Sequence, residues 1–243
     1  MSDKIYGRNA VLEAIKSGNR TINKIFISKT AHGSNIAEII KLAKTNGILT
    51  NSVPPEKLDK FEEENTQGVV AEVSATEYVE LETLIEQLKD KKDTLLLLLD
   101  SIEDPHNMGA IIRNAVAFGV DGVIIPKWRS ATVNETVFRT SAGAIEHIKI
   151  ARVTNTSQAI LELKKHNFWV LGAENGNESI AEAKIPFPAV LIVGSEGFGI
   201  HQKIKEKCDL IITVPQKNLI SSLNVSCASA IILYEIFKQR IQA

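Results

Sequence analysis

LLLLLDSIEDPHNMGAIIRNA, residues 95–115, is the stretch on which the architecture of this chain turns. Five consecutive leucines, Leu95 to Leu99, offer no polar side to solvent, so a strand here must be covered on both faces. A polar loop follows, and then a helix carrying Ile111, Ile112, Arg113 and Ala115. Short apolar runs recur downstream at Gly122–Ile125, Trp169–Ala173, Val190–Val193 and Leu210–Val214, separated by helical stretches. Such alternation predicts an α/β domain with a parallel sheet from residue 94 to residue 243. Ligands of parallel sheets lie beyond the carboxyl ends of the strands, which directs attention to the loops.

Upstream, residues 1–75 read as a separate small α/β unit. Val11, Leu12 and Ile15 mark a helix over Asn9–Lys16, and KIFIS (Lys24–Ser28) a strand. Ile36, Ile39, Ile40 and Ala43 have helical spacing up to Thr45, and Asn46-Gly47 ends that helix. Ile48–Val53 is a second strand, Pro54-Pro55 leads into a charged helix through Glu64, and Val69–Val73 is a third strand. Residues 76–93 are polar and charged with one helical pattern at Leu81, Leu84, Ile85 and Leu88; they form a partly helical linker, since Gly, Pro and Ser are absent.

The 243 residues are 44% hydrophobic and 23% charged, with a net charge of −1. That neutrality hides an asymmetry: up to Val53 there are eight basic residues against three acidic ones. A local basic excess suits a polyanion partner and equally suits a solvated surface. Cys208 and Cys227 have no partner spacing, which excludes a disulfide framework and a zinc site and predicts two buried thiols in a reducing cytoplasm. MSDKIYGRN carries no apolar signal core and Leu95–Leu99 is too short to span a bilayer, so the expectation is a cytoplasmic protein without membrane or metal.

Three loops concentrate the polar residues that packing does not require. In the first, Asp100–Gly109, Pro105 fixes the helix entry, Asn107 can cap the helix, and Gly109 keeps its first turn accessible. Arg113 lies four residues on, and a helix mouth with an arginine suits a phosphate or developing oxyanion; plain capping fits the same residues. The second, VGSEGFG (Val193–Gly199), has three glycines in six residues. Its spacing is neither GxGxxG nor a Walker loop, and Glu196 sits inside the turn, either as a functional group or as an exposed turn residue. The third, VPQKNLISSLNVS (Val214–Ser226), supplies Ser221, Ser222, Asn224 and Ser226, more polar groups than one helix cap needs.

Taken together, DSIEDPHNMGAIIRNA, LIVGSEGFGI and VPQKNLISSLNVSCASAIILYE resemble in order and spacing the three signature motifs of the SpoU/TrmH family, RNA ribose 2′-O-methyltransferases of the SPOUT superfamily. SAGAIEHIKIARVTN is also similar to the family, and IYGRNAVLEAI through QGVVAEV resembles its accessory RNA-binding domain, a ribosomal-protein-like fold. The two-domain form is typical of members that modify a guanosine in 23S ribosomal RNA.

The resemblance implies a C-terminal segment threaded into a deep trefoil knot, S-adenosylmethionine bound there, and an active site completed by a homodimer. Composition carries no sign of a knot, because true knots are nearly absent among folds. Cofactor positions carried over are Gly194, Val214 and Leu223, with Gly197 and Gly199 of the same turn; catalytic positions are Asn107, Arg113, Glu196, Ser222 and Asn224. Gln216 and Asn218 replace the Met and Gly usual in the third motif, and Asn218 can keep a positive-φ turn. Arg113 would sit at the reacting ribose or its phosphate, with Asn107, Glu196 and Asn224 positioning substrate, loop and cofactor; of the five histidines only His106 falls in a motif. The final helix, Leu223–Arg240, is apolar or small almost all round, so burial on several sides is expected, with Ser226, Ala228, Ser229 and Ala230 admitting a partner helix. Two rival readings are a transfer-RNA 2′-O-methyltransferase and a non-catalytic RNA-binding or ribosome-assembly protein.

Overall fold

The computed structural model describes residues 2–58, 66–217 and 222–242, in two compact units. The first comprises Met1–Glu77 together with Val133–His147; the second comprises Tyr78–Thr132 and Ile148–Ala243.

In the N-terminal unit, strands β1 (Ser2–Tyr6), β2 (Ile22–Ser28), β3 (Leu49–Val53) and β4 (Val69–Ser74) form a sheet in the order β1-β4-β2-β3. Strand β4 pairs antiparallel with β1 and β2, and β2 pairs parallel with β3. Helix α1 (Arg8–Ser17) stops at Gly18, whose φ of 64° is the left-handed turn that closes helices cheaply only at glycine. It buries Val11, Leu12, Ala14 and Ile15, and α2 (Ser34–Thr45) buries Ile36, Ile39 and Ala43. Ile40, expected on that same face, is instead 47% exposed. After Pro54 only a 3-10 turn, Pro55–Lys57, is seen; the rest of the charged helix expected here lies outside the described residues.

Two features of this unit escape the sequence pattern. Strand β1 reads as a polar chain start, yet Ile5 is fully buried and Tyr6 nearly so. The segment Val133–His147, far along the chain, belongs here as well. Its helix α5 (Glu135–Thr140) is capped by Asn134, and Glu135 accepts a hydrogen bond from Tyr6 Oη at 3.2 Å. Asn19 donates to the Glu146 carbonyl at 2.5 Å, and His147 meets Glu13 at 2.7 Å.

The C-terminal unit holds six strands, all parallel, in the order β10-β8-β9-β5-β6-β7. They are β5 (Leu95–Asp100), β6 (Gly122–Pro126), β7 (Ile150–Val153), β8 (Trp169–Ser179), β9 (Ala189–Gly194) and β10 (Leu210–Thr213). Leu95 to Leu99 are fully inaccessible, as an all-apolar central strand requires. Each such leucine contributes roughly 1.5–3 kcal/mol through burial. Helices α3 (Leu81–Leu88), α4 (Pro105–Ala117), α6 (Thr156–Lys165), α7 (Gln202–Lys205) and α8 (Val225–Arg240) complete the unit. The expected linker is thus helical over α3, whose Leu81, Leu84 and Ile85 join the core cluster of Leu96, Leu98 and Ile160.

The three polar loops follow β5, β9 and β10, all at carboxyl strand ends. Strand β10 is an edge strand, whereas α8 packs on α4 and on β9 near the sheet centre. A chain that leaves the edge and returns to the centre brings the third loop to the other two, a path that a C-terminal knot also demands.

Candidate functional site: three loops around two clefts

Helix α4 starts differently from the sequence expectation. Asp104, not Asn107, is its N-cap, with a side-chain oxygen accepting from His106 N at 2.9 Å, and Pro105 takes the first helical position. Gly109 is buried and so does not keep the first turn open. Relieved of capping, Asn107 turns its Oδ1 to Asn224 Nδ2, 3.0 Å away.

Asn224 caps α8: its Oδ1 accepts from Ser226 N at 2.9 Å and Cys227 N at 3.3 Å. Its amide nitrogen is left over and donates both to Asn107 and to Glu196 Oε1. Glu196 Oε1 also accepts from Val225 N at 3.4 Å. One residue from each loop therefore joins a single hydrogen-bonded cluster centred on the Asn224 amide, which is the arrangement a shared site requires and three independent caps do not.

Glycine spacing explains how the second loop reaches this place. Ser195 and Gly199 exchange backbone hydrogen bonds at 3.1 and 2.9 Å, so the chain doubles back at once. A Cβ on Gly194 would lie 2.1 Å from the Gly199 carbonyl carbon, and Gly199 has φ 65°. Both glycines are demanded by the fold of the turn. Gly194→Val would consequently displace the loop itself. Gly197 is different: a Cβ there meets nothing within 4 Å and its φ is unexceptional.

The doubled-back loop separates two clefts. One, of about 410 Å³, is lined by Gly194, Gly197, Gly199, Val214, Ser222 and Leu223, with apolar walls from Ile212 and Ile232. It therefore gathers all five expected cofactor positions. Two acceptors in this cleft, Glu174 Oε2 and Gln216 Oε1, are buried without a hydrogen-bond partner among the described residues. An apolar slot with backbone edges and two unsatisfied acceptors fits a nucleoside carrying amino and hydroxyl donors, so the residues suit S-adenosylmethionine. The same observation gives Gln216, the departure from the family pattern, an orphan acceptor to offer. Asn218 lies outside the described residues, as does Ser221.

The other cleft, of about 470 Å³, shares Glu196 and Phe198 and adds Asn107, Asp104, Arg129 and His201. Ser101 and Arg129 line it with φ of 61° and 55°, and non-glycine residues held there commonly mark functional sites. Phe198 is 93% exposed at the loop tip.

Arg113 lines neither cleft. It lies eight residues beyond Pro105, about 12 Å along the helix axis, not at the helix mouth. It is exposed, and among the described residues no hydrogen bond or ion pair is assigned to it. Neighbouring Asn114 donates to Ser226 O of α8 at 3.3 Å. On α8 the buried residues are Val225, Ser229, Ile232, Leu233 and Ile236, so the helix is not buried all round. Cys227, Ile231 and Tyr234 form an exposed stripe, and Ser229 is inaccessible to a partner helix. Cys227 is thus not the buried thiol expected, while Cys208 is half-buried with its pKa pushed up to about 11, chiefly by burial.

Sequence reasoning passed over Asp100, Arg129, His201 and Glu174. Asp100 alone carried a signal, as the one charged residue ending an otherwise apolar run. Among the described residues no group of three or more potential metal ligands occurs, and no helix is long and apolar enough to cross a membrane.

Comparison with known proteins agrees with this geometry. Residues 94–234 match the SpoU rRNA Methylase family, and residues 4–79 match the RNA 2′-O ribose methyltransferase substrate binding family. A Staphylococcus saprophyticus protein, whose name places it in the TrmH family of tRNA/rRNA methyltransferases, is 45% identical over 239 residues, covering 97% of this chain and 95% of its own. The SpoU methyltransferase AviRb from Streptomyces viridochromogenes, solved in complex with AdoMet, has the same fold at a TM-score of 0.83 and 23% identity, covering 100% of this chain and 91% of its own. The A. aeolicus TrmH/SpoU tRNA modifying enzyme is 32% identical at a TM-score of 0.56, over 67% of this chain and 83% of its own. Three motif loops joined by one hydrogen-bonded cluster, on a parallel sheet, are what that relationship leads one to find: the chain belongs to the SpoU/TrmH family of RNA methyltransferases.

Proposed function

We propose that this enzyme transfers a methyl group from S-adenosylmethionine to the 2′-hydroxyl of a ribose in RNA, and that its acceptor is a guanosine of 23S ribosomal RNA. The observation that carries the reading is the linkage of Asn107 and Glu196 through the Asn224 amide, set between a cleft that suits the cofactor and a second cleft open to an acceptor. The substrate-binding match at residues 4–79 supports RNA and the ribose hydroxyl; we take residues 1–75 as that RNA-binding domain, 76–93 as the linker and 94–243 as the methyltransferase domain.

The roles follow from position. Gly194, Gly197, Gly199, Val214 and Leu223 would present backbone to the cofactor, while Glu174 and Gln216 accept its donors and Ser222 sits at the rim. When bound, the cofactor supplies an electrophilic methyl group on a sulfonium. Asn224, itself held by Asn107, holds Glu196 and fixes the loop that divides the clefts, so that donor and acceptor are aligned rather than merely close. The Arg113 guanidinium carries five N–H donors and no acceptor, so it can hold a phosphate and stabilise a developing alkoxide.

Because Arg113 lines neither cleft of its own chain, it serves best from a second copy. The Cys227, Ile231 and Tyr234 stripe on the helix beside α4 supports a homodimer in which each Arg113 completes the partner's acceptor cleft. The protein would work in the cytoplasm, without metal.

Transfer RNA is the second reading, supported by the 32% identity to a tRNA modifying enzyme, although that likeness spans only 67% of this chain. The intact Asn107–Asn224–Glu196 linkage speaks against a non-catalytic assembly factor. Mapping 2′-O-methylation in ribosomal and transfer RNA from cells with and without the gene decides the matter. A single ribose methyl lost from 23S RNA is the expected result; loss from transfer RNA alone favours the second reading, and no loss overturns both.

A further inference from the structure

A ribose hydroxyl needs a lone pair to receive its proton, and a guanidinium has none at neutral pH. Around the acceptor cleft two carboxylates are engaged, Glu196 Oε1 by Asn224 and Val225 and Asp104 by the helix cap, and Glu103 also lines the cleft. His201, directly after the doubled-back loop, is not committed in this way. Its Nδ1 lies 2.9 Å from Asp100 Oδ2, and the same oxygen accepts from the His201 backbone N at 2.9 Å. The Asp100 side chain is 4% exposed and that of His201 47%. A buried carboxylate at the end of the central strand thus grips one side of an imidazole whose other side is open in the cleft shared with Asn107 and Glu196.

This geometry dictates the tautomer. An ionised Asp100 only accepts, so the neutral ring must carry its proton on Nδ1 and keep the lone pair on Nε2. Orientation by a buried aspartate is the arrangement by which a histidine becomes a general base in hydrolases, reached here on an unrelated fold.

Resting on the ribose-methylation reading, we propose that His201 is the general base of this enzyme and that Asp100 is its positioning residue. The proton of the 2′-hydroxyl passes to His201 Nε2 as the 2′-oxygen forms its bond to the methyl carbon. The carbon–sulfur bond of the sulfonium donor breaks with its electron pair on sulfur, and the imidazolium then releases the proton to water. The charges facing His201 are Asp100 and Glu103 from the β5 side, Asp104 at the start of α4, Arg129 after β6, and Glu196. On its own helix Lys205 is paired with Glu174, and on α6, which packs there, Lys164 is paired with Asp209 and Lys165 with Glu162.

The test combines rate and tautomer. Single-turnover methyl transfer into RNA extracted from cells lacking the gene is followed from pH 5 to 9 for the wild type and His201→Gln. The wild-type rate should climb through the interval where imidazoles lose their proton and then level off. The variant should be slower by about 100-fold or more at pH 7.5 and lack that limb, with cofactor affinity within about threefold by calorimetry. Independently, nitrogen-15 shifts of His201 in the free wild-type protein should report the Nδ1–H tautomer, a readout that stands even should the variant fail to fold. A His201→Gln rate within threefold of wild type, a retained acid limb, or an Nε2–H tautomer overturns the proposal. A wild type that leaves ribose unmethylated overturns the ribose reading with it; a wild type that methylates ribose beside an equally fast variant overturns this proposal alone.

Discussion

Two arginines, one in each unit, do opposite things with the same chemistry. Arg20 in the N-terminal unit has a side chain only 6% exposed. It is held by Asp3 at 2.9 Å, Thr76 at 2.7 Å and Glu146 at 3.7 Å, and stacks over Phe138 at 4.6 Å. Arg113 in the C-terminal unit stands exposed on α4. The first guanidinium is spent on tying Val133–His147 to the N-terminal sheet; the second is presented. A basic excess counted along a sequence therefore overstates a basic surface, since Arg20 and Lys16, the latter paired with Glu38 at 2.9 Å, are already neutralised by the fold.

The largest effect that separates the two is on rate. Arg113→Lys keeps the charge and loses the planar fork, so single-turnover methyl transfer should fall by about 100-fold or more at every pH from 6 to 10, with stability unchanged. A lysine variant that overtakes the wild type at the alkaline end would break the clamp reading, because lysine approaches deprotonation there.

Arg20→Met should do the reverse, sparing the methyl-transfer site and costing about 3 kcal/mol of stability by leaving Glu146 buried without its cation. Burial already pushes the Glu146 carboxyl above its ordinary value, with Arg20 opposing it. Without Arg20 the folded state holds that proton to a still higher pH than the unfolded chain does. The stability linked to it is complete below the unfolded value and is lost as pH rises through the folded one. Urea unfolding should accordingly find a smaller deficit at pH 5 than at pH 8, and an equal deficit at both would contradict the buried-carboxylate account.

The smallest stability effect belongs to the residue that has both roles. Asn224→Ser keeps a capping oxygen for α8 but removes the amide that joins Asn107 to Glu196. Thermal unfolding should shift by the equivalent of less than about 1 kcal/mol while activity falls at least tenfold. A variant of full activity would mean that Asn224 caps the helix and does nothing more.

Much of this was legible in the residues. Unbroken apolar runs marked β5, β6, β8, β9 and β10 as strands, and the turn and cap residues marked three loops at their ends. Periodicity gave α1, α2 and α3 to within a few residues, since burial of one face is a local property of spacing. Strand β1 and strand β7 were not legible: SDKIY is too polar, and IARV too short, to declare themselves without partners. The cap of α4 went to the wrong polar residue because Asp104 and Asn107 both suit the position, and only backbone geometry chooses between them.

What tertiary structure alone decided is pairing at a distance. Asp100 and His201 stand 101 residues apart, Asn107 and Asn224 117 apart, Tyr6 and Glu135 129 apart. Spacing along a chain fixes which face a side chain takes, whereas which faces meet depends on strand order. Here β5 and β9 are neighbours, and α8 returns from the edge strand β10 to pack on α4 and β9. That order sets Asp100 against the loop after Gly194 and leaves Arg113 outside both clefts, and no local pattern in the sequence encodes it.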